Sequence, residues 1–184
     1  TQNNVPSCVN NQVIVPGCNT SQNTYYDVNP FWYRFTCYTS GTLNFLIDPI
    51  SASDDYDWQI WDVTGIDPPT VYNNTSRCIG ANWSGLTGQT GTNATAANLF
   101  ECGSFNNNNP PKFSRRPNLT AGRTYLLMIS NFSNSQQGYK LSFGGGTAVI
   151  TDPKEPLMQE VRTNCGGDEL RVKLNKKMKC VSIA

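Results

Sequence analysis

The sequence predicts an all-β protein: an antiparallel β-sandwich over residues 1–150, followed by the opening strands of a second β domain in residues 151–184. Three observations predict it. Bulky side chains alternate with smaller or polar ones along several short runs. Clusters of Gly, Pro and Asn interrupt those runs at short intervals. No stretch keeps a period of 3.6 over the 10 to 12 residues that an amphipathic helix needs.

Taken in order, residues 31–39 alternate Phe31, Tyr33, Phe35 and Cys37 on one face with Trp32, Arg34, Thr36 and Tyr38 on the other. Ser40-Gly41 then turns the chain, and Leu43, Phe45 and Ile47 form the next apolar stripe. Tyr56, Trp58 and Ile60 form the one after it, before Gly65 and Asp67-Pro68-Pro69 stop the run. Residues 78–83 suit a short fourth strand. Residues 84–98 turn to Gly, Thr, Ala and Asn, and Asn106 to Pro111 is a second interruption, so both read as surface loops. Strands are expected again at 125–132 and 138–143; the polar turn 133–137 between them predicts a hairpin. After Gly144-Gly145-Gly146 the character changes. Residues 151–184 are richer in Lys and hold two strand-like runs, 158–163 and 169–174, too little chain to bury a core alone.

Composition narrows the chemistry. Asn, Thr and Ser supply 22, 18 and 14 of the 184 residues, whereas charged residues make up only 15% against a usual value of about 25%. There is no His, which excludes Ser-His-Asp triads, Cys-His dyads and His-ligated metal or haem sites. Net charge is +1, with no concentrated basic face of the kind phosphate backbones select, so no nucleic-acid partner is expected. No apolar run is long enough to cross a bilayer as a helix, and no membrane insertion is expected.

Seven cysteines without a CxxC pair or His suit structural disulfides in an oxidising compartment, and so an extracellular or cell-surface location. Cys8 and Cys18 bracket a short segment and are expected to staple the N-terminus. Cys165 and Cys180 bracket the final pair of runs. Among Cys37, Cys78 and Cys102 one further pair is possible; spacing alone leaves the connectivity open.

Two groups of residues are candidate sites. If a strand begins at Asp55, Asp55, Asp57 and Gln59 share a face opposite Tyr56, Trp58 and Ile60, and Asp48 closes the preceding strand. Hard oxygen ligands at a strand edge suit Ca²⁺, and Asp48, Asp55 and Asp57 are its candidate ligands; turn formation and surface charge are the competing reading. No organic cofactor is expected. Paired acids also serve glycoside hydrolysis, for which Glu101 is the natural partner, but a lone Glu beside a cysteine reads better as surface charge, and no catalysis is expected. Trp61, placed outward by the same alternation, and Trp83 with its neighbour Asn82 are the candidate ligand contacts, aromatic faces on which a sugar ring can stack. Core packing competes for both tryptophans.

The order of these runs carries a family resemblance. The aromatic strand with Asn29-Pro30-Phe31-Trp32-Tyr33-Arg34-Phe35, the Asp54-Asp55-Tyr56-Asp57-Trp58 segment, Leu119-x-x-Gly122-x-x-Tyr125 and Gly138-Tyr139-x-Leu141-Ser142-Phe143-Gly144-Gly145-Gly146-Thr147 resemble the pre-peptidase C-terminal type of jelly-roll-like sandwich. In wording they resemble the N-terminal module of large cell-surface proteins that Bacteroidota export through the type 9 secretion system. Lys173 to Cys180 resembles an early strand of the Ig-like domains that follow such modules. The resemblance implies an incomplete Ig-like domain in 151–184 and other domains of the same larger polypeptide as partners.

Together these readings predict a non-catalytic module for adhesion or glycan recognition, its partner a glycan or protein ligand on a surface. Two alternatives stand beside it: a structural subunit of a surface filament or secretion-associated assembly, and an accessory domain of a secreted hydrolase.

Overall fold

The computed structural model describes residues 10–18, 24–105, 108–135, 137–155, 157–164, 166 and 168–176. Its strands in chain order are β1 (Gln12–Val13), β2 (Tyr25–Tyr26), β3 (Phe31–Thr36), β4 (Gly41–Thr42), β5 (Phe45–Pro49) and β6 (Tyr56–Asp62). Then come β7 (Cys78–Asn82), β8 (Thr90–Asn93), β9 (Phe100–Glu101), β10 (Phe113–Arg115), β11 (Asn118–Leu119), β12 (Thr124–Asn131) and β13 (Tyr139–Phe143). Two short 3₁₀ turns, Pro68–Asn73 and Thr75–Arg77, precede β7. The described residues contain no α-helix. Contacts divide the chain into two units, 1–151 and 152–184. The second contains the antiparallel pair β14 (Met158–Thr163) and β15 (Leu170–Leu174), whose Met158, Val161, Leu170 and Val172 are exposed.

The first unit is a β-sandwich. One sheet has strand order β10-β8-β5-β13 and the other β3-β12-β6-β7-β9. Pairing is antiparallel throughout both sheets except for β8 with β10 and β7 with β9. Period-2 alternation explains the layer between the sheets. Phe45 and Ile47 from β5, Tyr56, Trp58 and Ile60 from β6, and Tyr125, Leu127 and Ile129 from β12 form one buried cluster, against which Phe31, Tyr33 and Phe35 pack. Each such side chain contributes about 1.5–3 kcal/mol by leaving water. Aromatic edges set the fit: the Phe45 and Trp58 rings meet edge-on at 4.9 Å, and Tyr56 meets Tyr139 at 5.0 Å.

Two expectations about pairing are corrected. Residues 125–132 and 138–143 do not form a hairpin: β12 lies between β3 and β6, whereas β13 is the edge partner of β5 in the opposite sheet. The polar segment between them crosses the sandwich, a difference that turn chemistry does not encode. Residues 84–98 are not all loop, since Thr90–Asn93 forms β8 in the middle of a sheet. Thr and Gly suit that position because the neighbouring backbone comes close. Gly91 has φ +147°, and a Cβ there would collide with the Phe45 carbonyl.

The outer face of the five-stranded sheet is buried as well. Every residue of β6 is buried, and Trp61, Val63, Leu126 and Met128 form a second cluster with Val13, Val15 and Tyr25 from the N-terminal segment and Val71 from the first 3₁₀ turn. Asp27, fully buried, ties this cover together by accepting hydrogen bonds from the Asn11 backbone N–H and side-chain amide and from the Tyr72 hydroxyl. A disulfide between Cys18 and Cys102 pins the segment to the end of β9.

That bond corrects the expected cysteine pattern. Cys18 pairs with Cys102 rather than with Cys8, and Cys37 and Cys78 are free thiols in the buried core. Burial pushes both thiols up, Cys78 to about 12, so they pack as small apolar side chains. Cys8, Cys165 and Cys180 lie outside the described residues.

Candidate functional site

The N-terminal cover does not close the sheet completely. At the start of β6 it leaves an open cavity of about 310 Å³, lined by Tyr25, Tyr26 and Val28 on one side, Asp55 and Asp57 from the sheet, and Trp83, Gly85, Gly103, Ser104 and Phe132 from the ends of β7, β9 and β12. Three strands converge there because their registers coincide. Ser130 lies opposite Asp57, so one residue further than the last pair places Phe132 opposite Asp55. On the other side Asn82 lies opposite Trp58, which sets Trp83 level with Asp57.

The lining is held from behind. Tyr25 meets Trp83 edge-on at 5.1 Å, and its hydroxyl accepts the Gly103 N–H at 3.0 Å, next to the disulfide at Cys102. The Trp83 indole N–H donates to Gln59 Oε1 at 3.2 Å, and the Gln59 amide donates in turn to the Ile14 carbonyl at 3.0 Å. The Gly85 N–H donates to Ser104 Oγ at 2.9 Å. Ser133 Oγ accepts the Asp55 N–H at 2.8 Å and fixes the backbone of that acid. At the rim Tyr26 and Phe132 are exposed, the latter by 63%.

The two carboxylates sit in this low-dielectric setting with little compensation. Asp55 and Asp57 are 5% and 3% exposed, and Asp55 Oδ1 is buried without a hydrogen-bond partner. Burial pushes Asp55 up to about 7. Burial, and then repulsion from the Asp55 charge, hold Asp57 well above the usual carboxylate range. Residues two apart on one strand face are separated by ~6.5–7 Å along it, so the two acids respond to each other's charge. Such a pair can accept hydrogen bonds, balance a cation or exchange a proton. Among the described residues no Lys or Arg lines the cavity.

The candidate residues are only partly brought together. Asp55, Asp57 and Trp83 share the cavity. Asp48 stands in the other sheet, opposite Lys140, with its Oδ1 accepting from the Gln89 amide at 3.0 Å. Among the described residues no group of three or more Cys, Asp and Glu is placed to hold a metal ion. Glu101 is buried beside Asn98, whose amide donates to it, and does not line the cavity. Trp61 does not face outward to solvent: it is 1% exposed and stacks on Trp32 at 5.7 Å. Asn82 is a clamp rather than a ligand contact. Its amide donates to the Pro111 carbonyl and Ser114 Oγ, and its Oδ1 accepts from the Ser84 N–H.

No protein-family model, curated protein or solved structure matches the chain.

The site therefore stands on its own geometry. Sequence reasoning missed Tyr25, Tyr26 and Phe132. For Phe132 a signal was present, because the alternation that sorts β6 also puts Leu126, Met128, Ser130 and Phe132 on one face of β12. Tyr25 and Tyr26 belong to a two-residue strand, too short for a period to appear. No helix among the described residues is long and apolar enough to cross a membrane.

Proposed function

We propose that this chain is a non-catalytic binding module of a secreted or cell-surface protein, and that a sugar residue of a glycan occupies the cavity between the N-terminal cover and the sheet. One observation carries the reading: an open concavity of about 310 Å³ sets aromatic rings beside two buried carboxylates. That volume lies within the range of small-ligand sites, and ring faces with a few acceptors are what a sugar needs for stacking and hydroxyl bonding. The Cys18–Cys102 disulfide supports an oxidising, extracytoplasmic setting. A glycan array read with the wild type and with Tyr26→Ala and Phe132→Ala tests it. Binding to a defined glycan that both rim variants weaken at least about tenfold is expected, and an array without signal overturns the reading.

A second reading, a structural subunit of a surface filament, is favoured by the β14–β15 pair. Leu157, Met158, Val161, Leu170 and Val172 there are all exposed, an apolar strand surface of the kind that accepts another strand. Concentration-dependent assembly of the purified chain, abolished by Val161→Lys, is expected if that reading holds.

A further inference from the structure

The cavity buries acid oxygens that its own described walls do not match with donors. Asp55 and Asp57 are the acidic side chains among its described lining residues, Asp55 Oδ1 faces no donor, and the remaining walls are largely aromatic and aliphatic carbon. Among the ligands such a site could take, an anion would be repelled by either acid once ionised. Ca²⁺ asks for six to eight oxygens, more than two acids among Tyr25, Tyr26, Trp83 and Phe132 provide. A neutral sugar would satisfy the rings and donate its hydroxyls to the acid oxygens, but it would bring no charge to set against them. An ammonium group satisfies both: its charge draws the acids to their ionised form, its N–H donors reach their oxygens in charge-assisted hydrogen bonds, and the same charge is attracted to aromatic faces.

We infer that the cavity binds an amino sugar whose amine is free, with the ammonium against Asp55 and Asp57 and the ring held between Tyr26 and Phe132 at the rim. This rests on the glycan-binding reading above and names its ligand class. The free amine is the discriminating group. Acetylation removes the charge and leaves a bulkier neutral amide with a single N–H, so the charge-assisted bonds to Asp55 and Asp57 are lost.

Calorimetric titration of the 184-residue chain with a glucosamine trisaccharide, its fully N-acetylated counterpart, CaCl₂ and a Lys-containing tripeptide tests the inference. The free-amine trisaccharide is expected to bind, with the N-acetylated one at least about tenfold weaker, and both Asp55→Asn and Phe132→Ala are expected to reduce free-amine binding by a similar factor. Phe132 is exposed, so its variant keeps the test informative if Asp55→Asn disturbs the fold. Equal binding of the acetylated sugar overturns the ammonium assignment and leaves the glycan reading standing. Binding of neither sugar overturns the ammonium assignment, and an array without signal overturns the glycan reading with it. Tighter binding of the tripeptide, Asp55-dependent binding of CaCl₂, or free-amine binding indifferent to both substitutions also overturns the assignment.

Discussion

Asp57 of β6 follows Asp55, the residue just before the strand, by two positions on one face, so two buried acids share one cavity while Tyr56 between them points into the opposite layer. Their folded-state proton affinity is raised: burial pushes Asp55 up to about 7, and Asp57 is held well above the usual range by burial and by Asp55. For an acid shifted in this sense the folded state holds more protons than the unfolded one, so stability falls as pH rises through the interval between the unfolded and folded values. The empty protein is expected to lose on the order of 1–2 kcal/mol between about pH 4 and pH 7, a figure discounted for water entering the cavity. Asp55→Asn should flatten that slope. Urea denaturation at several pH values checks both, and a slope of opposite sign would refute the assignment.

The Cys18–Cys102 bond closes a sequence separation of 84 residues. Chain entropy alone puts the constraint at about 4–5 kcal/mol, and measured losses are commonly about 2–4 kcal/mol. The paired variant Cys18→Ser with Cys102→Ser is expected to lose stability by that amount and to expose Trp83, whose cover the bond retains. Denaturant midpoints and tryptophan emission report the two effects separately.

Asp27 joins the N-terminal segment to the first 3₁₀ turn through Asn11 and Tyr72. Asp27→Ala leaves the buried donors unmatched and is expected to destabilise by about 2–4 kcal/mol, whereas Asp27→Asn, which keeps an acceptor, should lose less. Thermal unfolding of the two variants side by side is the check.

Trp61 and Phe132 provide a contrast between packing and binding. Trp61→Ala removes a buried ring from the outer cluster and is expected to destabilise by about 3–5 kcal/mol. Phe132→Ala removes a ring 63% exposed and should leave stability within about 0.5 kcal/mol. A large loss in the second variant would mean that the rim is structural.

The fold class was legible because alternation over five to eight residues reports which side chains share a face, and β3, β5, β6, β12 and β13 all have that length. Alternation does not report what covers a face. Trp61 reads as outward, and it is; the layer above it comes from β1, β2 and a 3₁₀ turn, elements too short or too irregular to announce themselves. The same gap explains the carboxylates. Asp55 and Asp57 are legible as a pair on one face, but the choice between a wet metal edge and a dry aromatic cavity depends on Tyr25 and Tyr26, which arrive from thirty residues upstream. Cysteine pairing failed for a related reason. Cys8 is near Cys18 in sequence, while Cys102 reaches it only because β9 ends under the N-terminal cover.

One peptide cut anywhere between Cys18 and Cys102 would leave the two resulting pieces joined by sulfur. The surface segments in that interval, including the exposed stretch after β6, can thus be nicked by proteases without releasing either fragment. Such damage would be silent in mass measured on the oxidised protein, apart from one added water, and would appear as separate bands only after a reductant is added.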